Sequence, residues 1–214
     1  LIASDQCQTD ICLDDINQGM IGDCWFLSAI DFSINNKKYH ESLKTTVQEI
    51  NNNIQLTLYD TDSSTWKKTY VDKRLLINGD YFPSVISVLS KDPSEIWPAM
   101  LEKGLAKMCG GYPNIEGGLM SEGMCFLHGG RGFYISSHEL VPIMLEDEYF
   151  LDNFANDLLK LYEKDYGLFT SWEKDGFTSI REKGLVDSHA YSLLELKNID
   201  GEWIFRIKNP WGKF

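Results

Sequence analysis

Cys24 is the cysteine whose position best suits a nucleophile. It follows Gly22 and Asp23 and opens the run CWFLSAIDFSI, whose apolar residues recur at helical spacing, so the sequence predicts a helix that starts at about Cys24. A thiol in the first turn of a helix faces the positive end of the helix dipole, which favours the thiolate. The thiolate is the nucleophilic form, and an imidazole is its usual activating partner.

Of the four histidines, His189 is the candidate partner, because it precedes the apolar run AYSLLEL, which predicts a strand. From a sheet edge its ring would point into a cleft. Asn209 ends a second predicted strand, EWIFRIKN, so the two could act as a base and its orienting group. The other histidines have polar or glycine-rich surroundings typical of surface or capping positions: His40, His128 and His138. Without further evidence, a cysteine at a helix start is more often structural, and a strand-edge histidine is more often an ordinary satisfied side chain.

The secondary structure predicted to position these side chains differs between the earlier and later parts of the chain. Alternating residues in 54–60 and 66–71 predict a hairpin, and 93–109 predicts an amphipathic helix. The glycine-rich stretch 110–132 favours tight loops rather than a regular element. Residues 138–163 have a helical pattern, and strand-like runs follow from about 166.

This order indicates an α+β protein of two unlike lobes. We expect residues 1–137 to form a helical lobe that carries the cysteine, and residues 138–214 to form a β-rich lobe that carries the histidine and asparagine. The chain has 214 residues, enough for two such lobes.

Composition excludes several classes of protein. A net charge of −12 disfavours a nucleic-acid surface. Five cysteines, an odd number without a C-x-x-C pair, favour a reducing intracellular setting. No apolar run is long enough to span a membrane, and the N-terminus lacks a signal-peptide pattern, although the chain begins without Met.

Two possible metal motifs fail on inspection of their spacing. Cys125 and His128 form a C-x-x-H, but no second half of a zinc site follows. The segment from Asp60 to Asp62 begins like an EF-hand loop, but Thr65 stands where the loop requires glycine.

Three segments resemble the active-site segments of calpains, in the same order along the chain. They are DINQGMIGDCWFL at 15–27, GLVDSHAYS at 184–192 and RIKNPWG at 206–212. Shorter matches between them, such as LEK at 101–103, extend the resemblance over nearly the whole chain. The resemblance implies a papain-like, two-lobed cysteine protease fold.

The resemblance also implies a role for five side chains. Cys24 would attack the peptide carbonyl as a thiolate paired with the imidazolium of His189, giving an acyl-enzyme intermediate, and Asn209 would orient the imidazole. The amide of Gln18 would donate to the developing oxyanion, together with the Cys24 N–H. Trp211 would shield the histidine–asparagine hydrogen bond from water.

Calpains bind calcium within the catalytic domain, and the resemblance implies ligands at Asp15 and Glu122, with backbone carbonyls near Gln8 and Asp10. Leu13 stands where family members place an arginine that ties the lobes together. We therefore expect a calcium-dependent cytoplasmic endopeptidase that makes limited cuts in protein substrates and needs no organic cofactor. The sequence does not indicate whether a regulatory subunit or an inhibitor binds.

The calpain core continues beyond its N-P-W-G segment, so we expect the β-rich lobe to be incomplete at Phe214 and this chain by itself to have weak or no activity. A transglutaminase-like acyl transferase is one alternative, but Asn209 stands where that class would place Asp. A calcium-responsive binding module without catalysis is the other, which the presence of Cys24, His189 and Gln18 disfavours.

Overall fold

Helix and sheet segments alternate along the chain in a computed structural model that describes residues 11–79, 84–147, 149–172 and 185–212. The α-helices in these ranges are α1 (Cys24–Asn35), α2 (Lys37–Thr46), α3 (Trp97–Met108), α4 (Met120–His128), α5 (Ser137–Glu146) and α6 (Phe150–Glu163). The strands are β1 (Val47–Ile50), β2 (Asn53–Asp60), β3 (Thr65–Val71), β4 (Ile77–Asn78), β5 (Ser84–Val85), β6 (Phe169–Trp172), β7 (His189–Ile199) and β8 (Glu202–Lys208). Short 3₁₀ turns lie at Leu13–Asp15 and Tyr112–Ile115.

Helix α1 lies at the centre of the fold, and all its residues from Trp25 to Ile34 are buried. A helix that is apolar on every face must be covered on every face, and α1 packs against α2, α4 and β7. Gly123 of α4 allows a close approach to α1, since a Cβ there would lie 2.8 Å from the Ala29 Cβ. The covering elements leave the N-terminal end of α1, with Cys24, half-buried.

Strands β1, β2 and β3 form an antiparallel sheet in which the central strand turns its apolar side chains into the core. The predicted hairpin is confirmed, with Leu56 of β2 opposite Thr69 of β3. The first strand, β1, was not predicted. Helix α3 covers the sheet, and Gly104 lets its backbone come into contact with Leu56.

Strands β6, β7 and β8 form the second three-stranded antiparallel sheet, with β7 in the centre. Trp172 lies opposite His189, and Ser192 lies opposite Lys208. The first six residues of β7 are buried because α1 covers the strand at this end. The start of β7 and the end of β8 therefore meet beside the N-terminal half of α1.

The glycine-rich stretch 110–132 is where the sequence prediction is wrong. It contains helix α4 and the 3₁₀ turn, whereas loops were expected. Most of its glycines flank these elements in positive-φ conformations, as at Gly117 and Gly129, so they end helices rather than prevent them. Gly123 lies inside α4, where its missing side chain allows contact with α1.

Other boundaries differ by a few residues. The predicted helix 93–109 begins at Trp97, and the helical pattern of 138–163 is divided into α5 and α6. The strands expected after 166 are present as β6, β7 and β8, so the α+β class is confirmed. The separation of 1–137 and 138–214 into two lobes stays a prediction. None of the helices in the described ranges is long and apolar enough to cross a membrane.

Candidate active site

Cys24 is the first residue of α1, as the sequence predicted, and lies against the start of β7. The backbone N–H of Ala190, the residue after His189, interacts with the Cys24 thiol and lowers its pKa. The candidate nucleophile and the candidate base therefore come from segments 165 residues apart and meet where α1 packs on the sheet.

Burial raises the pKa of Cys24, and the negative charge of Asp23 adds to the increase. Hydrogen bonds from the backbone at Ala190 and at the helix N-terminus act in the opposite direction and lower this pKa. The helix-end effect expected from the sequence is therefore present, but desolvation outweighs it. Ionisation of the thiol needs a cationic partner.

The imidazole of His189 is buried, and its Nε2 lies 2.7 Å from Oδ1 of Asn209. An amide oxygen can only accept a hydrogen bond, so this contact assigns the proton to Nε2. In the neutral ring Nδ1 then carries the lone pair and is the nitrogen available to a thiol. Burial lowers the pKa of His189, and the hydrogen bond to Asn209 partly opposes that shift.

Two aromatic side chains confine the imidazole. The Trp211 ring is tilted over it at a centroid distance of 4.6 Å, and the Tyr191 ring meets it edge-on at 5.1 Å. Trp211 remains 43% exposed, so it forms the solvent side of the site, and its backbone N–H also donates to Asn209 Oδ1 at 2.9 Å. The sequence reasoning missed Tyr191, although its position two residues after His189 places both on one face of the strand.

Gln18 lies in a loop that is fixed from both sides. Its side-chain Nε2 donates to the carbonyl oxygen of Ile21 at 2.8 Å, and its backbone N–H donates to the carbonyl of Pro210 at 2.8 Å. One N–H of the side-chain amide remains for another acceptor, since the amide nitrogen carries two. The loop that holds Gln18 is thus joined to the turn that follows Asn209.

A buried pair of carboxyl groups lies directly behind the nucleophile. Asp23 and Glu102 are both fully buried and interact with each other. Burial raises the pKa of Glu102 to about 7 and that of Asp23 well above its ordinary range, and the charge of Glu102 adds to the increase at Asp23. Glu102 also accepts from the Val88 N–H at 2.9 Å. The only sign of this pair in the sequence is an acid within the apolar face of a predicted helix.

Asp15 is buried, and the carboxyl group that faces it belongs to Glu95. The Ser90 hydroxyl lies 3.3 Å from Asp15 Oδ1 and 2.8 Å from Glu95 Oε2, so it bridges the two acids. Burial raises the pKa of Glu95, and the neighbouring charge of Asp15 adds to the increase. The sequence reasoning did not single out Glu95, which lies 80 residues from its partner.

Glu122, the expected partner of Asp15, has a different local role. Its carboxylate is exposed and accepts from the Leu119 N–H at 3.3 Å, at the start of α4. None of the described contacts joins it to Asp15. Within the described ranges no group of three or more His, Cys, Asp or Glu side chains could hold a metal ion. Gln8 and Asp10, whose carbonyls were expected to contribute, lie outside the described residues.

His128 is not the surface histidine that its sequence surroundings suggested. Its Nε2 lies 2.8 Å from the Ser33 hydroxyl and its Nδ1 3.3 Å from that of Ser42, while Tyr39 packs on the ring at 4.5 Å. Burial lowers the pKa of His128 to about 4, so the ring is neutral near pH 7. It is a packed structural group separate from the candidate active site.

Comparison with known proteins identifies the family. A family model described as calpain family cysteine protease matches residues 4–214. The chain is 28% identical over 211 residues to calpain-type cysteine protease DEK1 of Arabidopsis thaliana, covering 99% of this chain and 9% of that protein. It is 28% identical to human calpain-14, covering 93% of this chain and 28% of the relative. For the calpain-2 catalytic subunit of Gallus gallus the identity is 30%, over 99% of this chain and 29% of the relative.

The chain therefore spans less than a third of each of these relatives. The match of the family model, residues 4–214, nevertheless covers the segments that contain Cys24, His189 and Asn209. The chain belongs to the calpain family of cysteine proteases.

Proposed function

We propose that this chain is the catalytic part of a calcium-dependent cytoplasmic cysteine endopeptidase that makes limited cuts in protein substrates. The observation that carries the proposal is the His189–Asn209 hydrogen bond of 2.7 Å beside the Cys24 thiol. The asparagine leaves His189 Nδ1 free to take the thiol proton. The described cysteines Cys12, Cys24, Cys109 and Cys125 are free thiols, which is compatible with the reducing cytoplasm.

In the proposed mechanism Cys24 transfers its proton to His189 Nδ1 and attacks the scissile carbonyl carbon. The developing oxyanion accepts from the Cys24 backbone N–H and from the second N–H of the Gln18 amide. The imidazolium then gives its proton to the leaving amine, and an acyl group remains on the thiol. His189 next deprotonates a water molecule that hydrolyses this thioester, and Cys24 is regenerated.

The thiolate–imidazolium pair must overcome the burial of both groups. Burial alone raises the pKa of Cys24 and lowers that of His189, and both shifts favour the neutral pair. In the ionised pair, mutual attraction of the two charges would act against this, more strongly because Trp211 and Tyr191 cover the ring. The ionisation therefore belongs to the pair, and losing either partner should abolish it.

Labelling with the epoxide E-64 tests the nucleophile. We expect E-64 to modify Cys24, and Cys24→Ala to lose both labelling and peptide cleavage while keeping its circular dichroism spectrum. Cys109→Ser serves as the matched control, because Cys109 is also half-buried at a helix end. Labelling or cleavage that persists in Cys24→Ala would exclude this mechanism.

For calcium, we propose Asp15 together with Glu95 as carboxylate ligands. Two carboxyl groups held close enough to raise the pKa of Glu95 suit a hard divalent cation, which removes their repulsion. Glu122 is the less suitable second ligand because its carboxylate caps its own helix. The bound ion would supply positive charge that fixes the segment before Gln18.

Isothermal titration calorimetry of calcium binding tests whether Glu95 or Glu122 is the second ligand. Glu95→Gln is expected to weaken binding at least tenfold, whereas Glu122→Gln, the matched acid-to-amide control, should leave it unchanged. Weaker calcium binding by Glu122→Gln but not by Glu95→Gln would instead support Asp15 and Glu122, the ligands expected from the sequence. Equal calcium affinity in both variants and the parent would show that neither Glu95 nor Glu122 is a calcium ligand.

A further inference from the structure

Asp31 and Lys208 form an ion pair within the interior of the fold. Asp31, on α1, is 0% exposed, and its Oδ1 lies 2.6 Å from the Nζ of Lys208, the last residue of β8. The Lys208 side chain is 14% exposed, and its Nζ also lies 3.4 Å from the carbonyl oxygen of Ile16. The pair thus joins the central helix, the edge of the second sheet and the segment before Gln18.

Stability does not explain this pair. Removing two charges from water costs about as much as their attraction returns, and apolar residues of similar volume often do as well. Burial raises the pKa of Asp31 to about 7 even though Lys208 acts against the shift. Asp31 Oδ2 has no hydrogen-bond partner among the described residues. Lys208 therefore only partly offsets the effect of burial on the Asp31 carboxylate.

Its location connects the two halves of the candidate active site. Cys24 and Asp31 are seven residues apart on α1, which is close to two helical turns and places them on one face. Lys208 directly precedes Asn209, which holds His189. The ion pair therefore joins the helix that positions the thiol to the strand that positions the imidazole.

We propose that Asp31 and Lys208 are positioning residues that fix α1 against β8 and so set the approach of the Cys24 thiol to His189. This inference rests on the proposed function. A charge-assisted hydrogen bond fixes distance and direction, whereas an apolar contact at the same place would allow the helix to slide along the sheet. Displacement of reacting groups by about 1 Å can cost roughly 100-fold in rate.

A neutral contact between α1 and the neighbouring strand of the same sheet, β7, lies farther from the site. The side-chain amide of Asn35 donates to the Leu194 carbonyl at 2.7 Å, at the C-terminal end of α1. That bond limits separation of the helix from β7, but it is eleven residues from Cys24. The Asp31–Lys208 pair is the closer restraint on the thiol.

The test compares an apolar replacement with a charge-conserving one. The double variant Asp31→Leu/Lys208→Met removes the ion pair without leaving one buried charge, and Lys208→Arg keeps the charge. Lys73→Met is the matched control, since Lys73 pairs with Glu49 at 2.5 Å away from α1 and β8. For each protein the rate of Cys24 alkylation by iodoacetamide is measured against pH by peptide mass spectrometry, together with thermal unfolding.

We expect the double variant to fold with a melting temperature near that of the parent. Its Cys24 should react about 10- to 100-fold more slowly at pH 6, and its pH profile should move towards that of an ordinary thiol. Lys208→Arg should retain most of the parent rate, and Lys73→Met all of it. A role in stability alone would change the melting temperature without moving the pH profile.

A folded double variant with the parent rate and profile would overturn the positioning role. If the double variant does not fold, Lys208→Met removes the donor while the buried Asp31, whose pKa burial raises to about 7, can take up a proton, and an unchanged profile there would overturn it equally. Ordinary thiol reactivity of Cys24 in the parent would instead refute the proposed function itself, and the inference with it. The two failures are therefore distinguishable.

Discussion

His189 Nε2 lies 2.7 Å from Asn209 Oδ1 because β7 begins at His189 and the antiparallel neighbour β8 ends at Lys208. The two polar side chains are thus brought together by strand pairing rather than by a flexible loop. The same Oδ1 also accepts from the Trp211 N–H at 2.9 Å, so the amide has its orientation set by a second bond.

Replacing Asn209 by alanine is expected to slow peptide cleavage about 100-fold, because the imidazole loses the acceptor that sets its tautomer and orientation. The loss should fall on kcat, with KM little changed. Steady-state kinetics on a fluorogenic peptide measure both. Asn156→Ala, on the exposed face of α6, provides the control, and a loss of less than threefold in Asn209→Ala would contradict the role of the hydrogen bond.

Gln18→Ala should lower kcat by about 100-fold, equivalent to roughly 3 kcal/mol of transition-state stabilisation, because one donor to the oxyanion is lost. The hydrogen bond from its backbone to Pro210 does not depend on the side chain, so the loop should stay in place. E-64 labelling needs no oxyanion and should change much less than cleavage. An equal loss in both assays would indicate a displaced loop instead.

Glu102→Gln is expected to gain stability relative to the parent as pH rises. Burial raises the pKa of Glu102 to about 7 from an unfolded value near 4.5. Between these pH values the native state keeps the proton that the unfolded chain has released, so the stability of the parent falls as pH increases. The stabilising contribution is complete below about pH 4 and is lost as pH passes 7. Urea unfolding at pH 5 and 8 should show a relative gain of about 2 kcal/mol, whereas a parallel shift at both values would exclude a raised pKa.

The contribution of His128 to stability should change with pH in the direction opposite to that of Glu102. Its pKa is lowered from 6.5 to about 4, so the unfolded chain binds the proton first and stability falls as pH decreases from about 7 towards 4. Between pH 7 and 5 the parent should lose about 2 kcal/mol more than His128→Gln, which keeps hydrogen-bonding groups for Ser33 and Ser42. An identical pH dependence of urea unfolding in both proteins would contradict burial of a neutral imidazole.

The sequence predicted Cys24 at a helix start and His189 at the start of a strand, because both depend on local patterns of apolar residues. Helix α4 was missed since its glycines read as loop signals, although most of them flank the helix. In α4, tertiary packing outweighs the low helix propensity of glycine, because Gly123 allows α1 to pass close beside it.

Pairs that form across the fold were beyond the reach of sequence patterns. Asp15 meets Glu95 through Ser90, and no periodicity relates residues 80 positions apart. Asp31 likewise stands in an apolar helix without any local sign that Lys208 would neutralise it. A buried charge becomes interpretable only when its counter-charge is located.

Gly212 has a positive φ of 67°, and a Cβ at this position would collide with the side chain of Asn17. Asn17 cannot yield easily, because its side-chain amide donates to the Asp14 carbonyl at 2.7 Å and its backbone N–H to the Leu89 carbonyl at 3.0 Å. Evolution of positions 17 and 212, which lie far apart in the sequence, is therefore linked. In homologous sequences, any residue other than glycine at position 212 should be accompanied by a smaller residue at position 17.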